Sequence, residues 1–410
     1  MKSQRVIPFL LIVVCCLLTA HPVTKLRADG APPPFAPGSG IGPTVPTKVR
    51  MVSETVTVTV NALSGGTTKN VFDDNAFVEA AHDIWPWMDA TVEATFTLRN
   101  LGTQDEAFAV WFPLGDAWES GYPTGVVNLD ISDFAAWVNG QPATSTKQPP
   151  RDPSATVAGD GLDPFSSNMA TDTEWYNHVP WATWPVTFPV GKDVLVRVTY
   201  TLFPVAETRP VGDFTYILQT GAGWNDTIGE GTVTFKLPYQ VSFVNAAVES
   251  WQNGYQVNGD QISWHFTDLK PTKLNNITIC VVEPDRWNAW LDARQAVAQS
   301  PDSAAAWFQY ALALYRISAA GADGSRQCGV SPDDPAMKNA HDRMLALAPA
   351  DRRDLYDKYA WDPTRAAVTN KETDRQALLD NVAKDFQRWP DDPVFQVIQG
   401  ILKSPDYLSY

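Results

Sequence analysis

From Lys48 to about Val282 the apolar and polar positions alternate with a period of two. Val56, Val58 and Val60 interleave with Thr55, Thr57 and Thr59, and Val92, Ala94, Phe96 and Leu98 with Glu93, Thr95 and Thr97. The pattern returns in Val194, Val196, Val198 and Tyr200, in Val233, Phe235 and Leu237, and in Ile262, Trp264 and Phe266. Alternation sets one face of a strand on a core and the other in water, as antiparallel sandwiches require. Residues 48–283 therefore read as an all-β, sandwich-type, antiparallel region of one or two subdomains. Asn139-Gly140 and Asn258-Gly259 stand between extended runs, and both are hairpin signals. From Gln141 to Ala170 the chain is rich in Pro, Ser, Thr and Asp, which predicts a long loop.

Near Pro284 the period lengthens. Trp287, Trp290, Leu291 and Val297 share a helical face, as do Trp307, Tyr310, Ala311 and Leu314, and later Val394, Val397, Ile398, Ile401 and Leu402. Asp333-Asp334 and Asp391-Asp392 each precede a proline, which marks helix starts. Residues 284–410 read as a small all-α region of five or six helices. The change of period predicts a domain edge at its start.

Lys2 and Arg5 precede an apolar run from Val6 to Leu18, closed by Leu18-Thr19-Ala20. This is the layout of a cleaved signal peptide over residues 1–20. The run falls short of the ~20 apolar residues of a membrane span. No span is expected after cleavage, and the location expected is secreted, extracellular or periplasmic. Residues 21–47 carry Pro32, Pro33, Pro34, Pro37, Pro43 and Pro46 among Gly38, Gly40 and Gly42, a composition that predicts an extended linker. Loss of Lys2 and Arg5 takes the formal charge from −15 to −17. With no basic stripe, nucleic acid and anionic lipid are poor partners.

Two resemblances bear on the architecture. Trp307-Phe308-Gln309-Tyr310-Ala311-Leu312-Ala313-Leu314 resembles the first helix of a tetratricopeptide repeat, and Ala289, Ala293 and Ala296 ahead of Pro301 look like the second helix of such a unit. Pro301, Pro349 and Pro390 do not keep the 34-residue period of that repeat, so any array is degenerate. Ordinary helix packing accounts for the same residues. The β region is similar to an uncharacterised family of exported bacterial proteins, through Val49-Arg50-Met51-Val52-Ser53-Glu54, Val110-Trp111-Phe112-Pro113, Tyr216 to Trp224, and Trp264-His265-Phe266 ahead of Lys270-Pro271-Thr272. That resemblance implies no catalytic or binding residues.

Catalytic chemistry finds little support. Gly38-Ser39-Gly40 lies in the linker rather than on a strand-to-helix elbow, and Gly221-Ala222-Gly223 lacks the lysine of a phosphate-binding loop. No catalytic residue and no metal ligand is assigned. The five histidines do not fall at ligand spacing. His265 reads as a half-exposed sheet residue, and no cofactor is expected. Asp160, Asp163 and Asp172 could hold a structural Ca²⁺, but solvated loop acids are the commoner reading of such a cluster. Beyond the signal segment only Cys280 and Cys328 remain, as one disulfide or as two thiols. Tryptophan stands out, with 16 in the chain. Trp175, Tyr176, Trp181 and Trp184 crowd one segment, and Trp85 and Trp87 form a second pair. These are candidate binding residues, because rigid aromatic faces suit sugar rings or the apolar anchors of a partner. The same rings could instead cap the ends of the sandwich.

The function expected is that of a secreted, non-enzymatic binding or scaffold protein with a protein or glycan partner. A carbohydrate-binding protein and an extracellular hydrolase are the alternatives.

Overall fold

In the computed structural model the described residues are 41–43, 46–63, 88–114, 131–148, 181–204, 210–251, 253–318, 328–331, 334–360 and 372–403. All of them belong to one compact unit. The segment read as a signal peptide, most of the linker, Trp85, Trp87, Trp175, Tyr176, Asp160, Asp163 and Asp172 lie outside them.

The chain forms the expected β region followed by helices. The strands are β1 (Gly42–Pro43), β2 (Val49–Ala62), β3 (Met88–Asn100), β4 (Glu106–Pro113), β5 (Ile131–Val138), β6 (Gln141–Ala143), β7 (Thr146–Gln148), β8 (Trp181–Phe188), β9 (Asp193–Leu202), β10 (Val211–Tyr216), β11 (Ile228–Lys236), β12 (Ala246–Val248), β13 (Tyr255–Asn258), β14 (Gln261–Leu269) and β15 (Ile277–Val282). They make an eight-stranded sheet in the order β13-β14-β11-β2-β3-β9-β5-β6, a four-stranded sheet β1-β4-β8-β7 and a three-stranded sheet β10-β15-β12. Pairing is antiparallel except between β11 and β2, which run parallel.

Alternation holds along β2, with one change of phase. Val49 and Met51 are buried, and so are Glu54, Val56, Val58 and Val60. The register with β3 slips between Met51 and Ser53. An extra residue in one strand swaps inward and outward positions, and here it keeps both halves of β2 apolar on the same side.

Three local expectations change. The stretch from Gln141 opens with β6 and β7 instead of a loop, and the rest of it lies outside the described residues. At the first hairpin Asn139 and Gly140 both take positive φ, as the paired turn residues should. At the second, Asn258 stays in β13 and the positive φ falls on Gly259. The linker also ends earlier than Thr47. Ile41 is fully buried, and Gly42 and Pro43 pair with Trp111 and Val110 of β4. The cause is two indole N–H groups that need acceptors. Trp224 Nε1 donates to Ile41 O at 2.9 Å and Trp111 Nε1 to Pro43 O at 2.8 Å.

Among the described residues six helices follow: α1 (Pro284–Gln299), α2 (Ala304–Arg316), α3 (Pro335–Leu347), α4 (Arg353–Ala360), α5 (Glu372–Asp385) and α6 (Pro393–Lys403). Ser303 and Asp334 cap α2 and α3 by accepting from Ala306 N and Ala336 N. Asp392 caps α6, accepting from Val394 N at 2.8 Å. The same carboxylate accepts from Tyr356 Oη and pairs with Arg352 at 3.1 Å, so one buried acid ties α4 to α6.

The buried interior does not stop at Pro284. Trp287 packs on Tyr239 with ring centroids 5.9 Å apart. Ala311, Leu314, Ile317, Met337 and Ala340 join the same cluster as the strand residues. Cys280 of β15 is disulfide-bonded to Cys328, on the segment between α2 and α3. A second cluster around Phe308, Met344, Phe386 and Ile398 belongs to the helices.

Candidate functional site

The aromatic segment proposed from sequence divides. Trp184 stands on β8 with 1% of its surface exposed, in the core and not on a face that a partner could reach. Its ring meets Phe134 at 5.8 Å, and Phe134 in turn meets Phe112 at 4.9 Å. Pairing of β8 with β4 sets this phase, since Ala182, Trp184, Val186 and Phe188 all point inward. Trp181 begins the same strand.

Glu54 is a buried, strongly perturbed carboxyl of the sheet core that no motif marks in the sequence. It has the inward phase of Val56, Val58 and Val60, a charge-bearing residue where the alternation calls for an apolar one. That was the signal. Glu54 lies between Phe96 of β3 and Gly231 of β11 in the register. Gly231 leaves room for the Phe266 ring, whose Cζ would be 2.0 Å from a Cβ there. Tyr216 Oη donates to Glu54 Oε1 at 2.7 Å. Among the described residues, Glu54 Oε2, the Tyr200 hydroxyl and Trp184 Nε1 have no hydrogen-bond partner. Burial pushes the Glu54 carboxyl up to about 7, against a lowering by the Tyr216 hydrogen bond. Burial, and then the charge of Glu54, push the Tyr200 and Tyr216 hydroxyls up as well. A carboxyl so placed is protonated below neutral pH, and it joins the eight-stranded sheet to the three-stranded one.

The other face of the eight-stranded sheet points outward and is lined by hydroxyls. One rank runs His265, Thr232, Thr55, Thr95, Arg197 and Trp137 across six neighbouring strands. The next runs Ser263, Thr234, Thr57, Glu93 and Thr199. His265, read from sequence as half-exposed, is exposed, with Nδ1 at 3.2 Å from Thr232 Oγ1. The Arg197 guanidinium stacks 4.0 Å over the Trp137 ring at the far end. Ladder spacing puts neighbouring hydroxyls about 4.8 Å apart across strands and about 6.7 Å apart along them.

A third constellation lies on the three-stranded sheet. Asp213, Glu249 and Cys280 bring ligand-type atoms within 4.8 Å of one another. Among the described residues no helix is long and apolar enough to cross a membrane.

No family model matches the chain, and no curated protein matches it. Solved structures show a general likeness. One is a candidate nutrient-binding protein of Legionella pneumophila, 14% identical, covering 85% of this chain and 98% of its own, with a TM-score of 0.44. Another is an M1 zinc metallopeptidase of Deinococcus radiodurans, 11% identical, with a TM-score of 0.28. The match spans 57% of this chain and 42% of the metallopeptidase. At these scores neither likeness carries a function to this chain.

Proposed function

We propose that the chain is an exported, non-enzymatic binding or scaffold protein whose partner is a protein or a glycan. The outward face of the eight-stranded sheet carries this reading. Each threonine hydroxyl both donates and accepts, so the ranks through Thr55 and Thr57 offer a field of paired hydrogen-bonding groups. Their backbone is fixed in ladders, so little freedom is lost when a partner docks. The Cys280–Cys328 disulfide supports the exported part of the proposal, because such bonds persist in oxidising compartments. A carbohydrate ligand would use the same hydroxyls, and the test separates it from a protein.

The immobilised chain is offered a glycan panel and a native cell-surface protein fraction, beside a variant with Thr55→Arg, Thr95→Arg and Thr232→Arg. Capture by the parent and loss by a variant of unchanged melting temperature supports the reading, and the class captured names the partner. Equal capture by the variant removes the sheet face as the site. Turnover of glycans, peptides or esters by the parent would make the chain a hydrolase instead.

A further inference from the structure

We propose that Asp213, Glu249, Cys280 and Cys328 form a Zn²⁺ site that opens only when the disulfide is reduced. The argument is independent of the sheet-face reading. Cys280 lies on the central strand β15, and Asp213 is its register partner on β10. On the other side of β15, Ala247 of β12 faces Cys280, and Glu249 follows two residues on, its N–H bonded to Thr278 O at 2.9 Å. Two-residue spacing returns Glu249 to the face of Ala247. Three neighbouring strands thus send two carboxylates and one sulfur to one point, with ligand atoms within 4.8 Å of each other. The second sulfur is located by a separate observation. Cys328 comes from the segment after α2 and is bonded to Cys280, with Cα atoms 5.9 Å apart.

Reduction by a dithiol breaks the S–S bond, leaves two protein thiols and converts the dithiol to its own disulfide. Three ligands then lie within 4.8 Å of one another, and the Cys328 sulfur, released beside Cys280, swings in as the fourth. Zinc holds thiolate at about 2.3 Å and carboxylate at about 2.0–2.2 Å in a tetrahedron, so its edges are about 3.4–3.8 Å. The spread of Asp213, Glu249 and Cys280 contracts a little to reach them, while the two sulfurs part from bonding distance to about 3.8 Å. The charges favour occupation by a dication. Zinc binding releases two protons and compensates the negative set. Sulfur ligands select against Mg²⁺ and Ca²⁺. Both cysteines are buried, whereas Asp213 and Glu249 are half-buried, which puts the entry on the carboxylate side. Metal and disulfide exclude one another, since both need the Cys280 sulfur.

Co²⁺ serves as the spectroscopic substitute for zinc. The whole exported chain is prepared oxidised, or reduced with dithiothreitol and desalted without oxygen, and titrated with Co²⁺ and then Zn²⁺. One Co²⁺ per reduced chain is expected, with thiolate charge-transfer and tetrahedral d–d absorption that Zn²⁺ abolishes, and none per oxidised chain. Asp213→Asn and Glu249→Gln should each weaken Co²⁺ binding at least tenfold while the disulfide still forms on oxidation. A reduced chain without the tetrahedral spectrum overturns the site, and so does undiminished binding when both carboxylates are neutralised. If reduction loosens the fold, recovery of the native near-ultraviolet spectrum on Zn²⁺ addition supports the proposal. Failure to recover it counts against.

Discussion

Tyr216 donates to Glu54 Oε1 at 2.7 Å, so a buried carboxyl joins the three-stranded sheet to the eight-stranded sheet. The Glu54 carboxyl is raised from 4.5 to about 7 by burial, so the folded chain holds a proton that the unfolded chain has lost. The stabilisation is complete below pH 4.5 and disappears as pH rises through 7. Over that window it amounts to about 3 kcal/mol. Urea unfolding at pH 5 and pH 8 should show the difference. Glu54→Gln keeps the acceptor for Tyr216 and removes the titration, so its stability should be level across the same range. A parent chain equally stable at both pH values contradicts the assignment.

Trp184 fills the core between Phe134 and its strand neighbours. Trp184→Ala should lower stability by about 3–5 kcal/mol, read as a fall in melting temperature. Trp184→Phe keeps most of the volume and removes an indole N–H that has no partner among the described residues, so it should cost far less. Equal losses in the two variants would mean that the N–H group matters more than the packing.

The disulfide closes a separation of 48 residues and fastens the segment after α2 to β15. The chain-entropy model assigns such a closure about 4 kcal/mol. Cys328→Ser should therefore lower the denaturant midpoint. Thiol counting on denatured, non-reduced exported chain should find no free Cys280 or Cys328. Two free thiols would refute the bond.

Asp392 accepts from Val394 N and Tyr356 Oη and pairs with Arg352 while buried. Removing this acid takes away the α6 cap and the partner of the Tyr356 hydroxyl, while Arg352 keeps Asp351 at 3.7 Å, so the cost is about 2–3 kcal/mol. Asp392→Ala should therefore speed hydrogen exchange in α4 and α6 while the strands stay protected. Loss of protection in β2 and β3 as well would show that helices and sheets open together.

Much of the fold was legible because it rests on local rules. The alternation at Val56–Val60 and Val92–Leu98 fixes which face is buried whatever the partner strand is. The aspartates ahead of Pro335 and Pro393 announce helix starts through chemistry confined to one turn. Glu54 was legible too, as a carboxyl in an apolar phase, although its partner was not.

Partners distant in the chain were decided by tertiary structure. Nothing near Ile41 indicates that it will be buried, because its acceptor role belongs to Trp224, 183 residues on. Trp184 had the same local signal as a surface aromatic, and its pairing with β4 turned it inward. The parallel pairing of β11 with β2 set Thr232 beside Thr55, and β10 and β15 set Asp213 beside Cys280. By itself the sequence determined each element and the side of it that avoids water, since those depend on neighbours along the chain. Only the folded chain decided which hydroxyls, acids and sulfurs meet, because that depends on register between strands far apart in sequence.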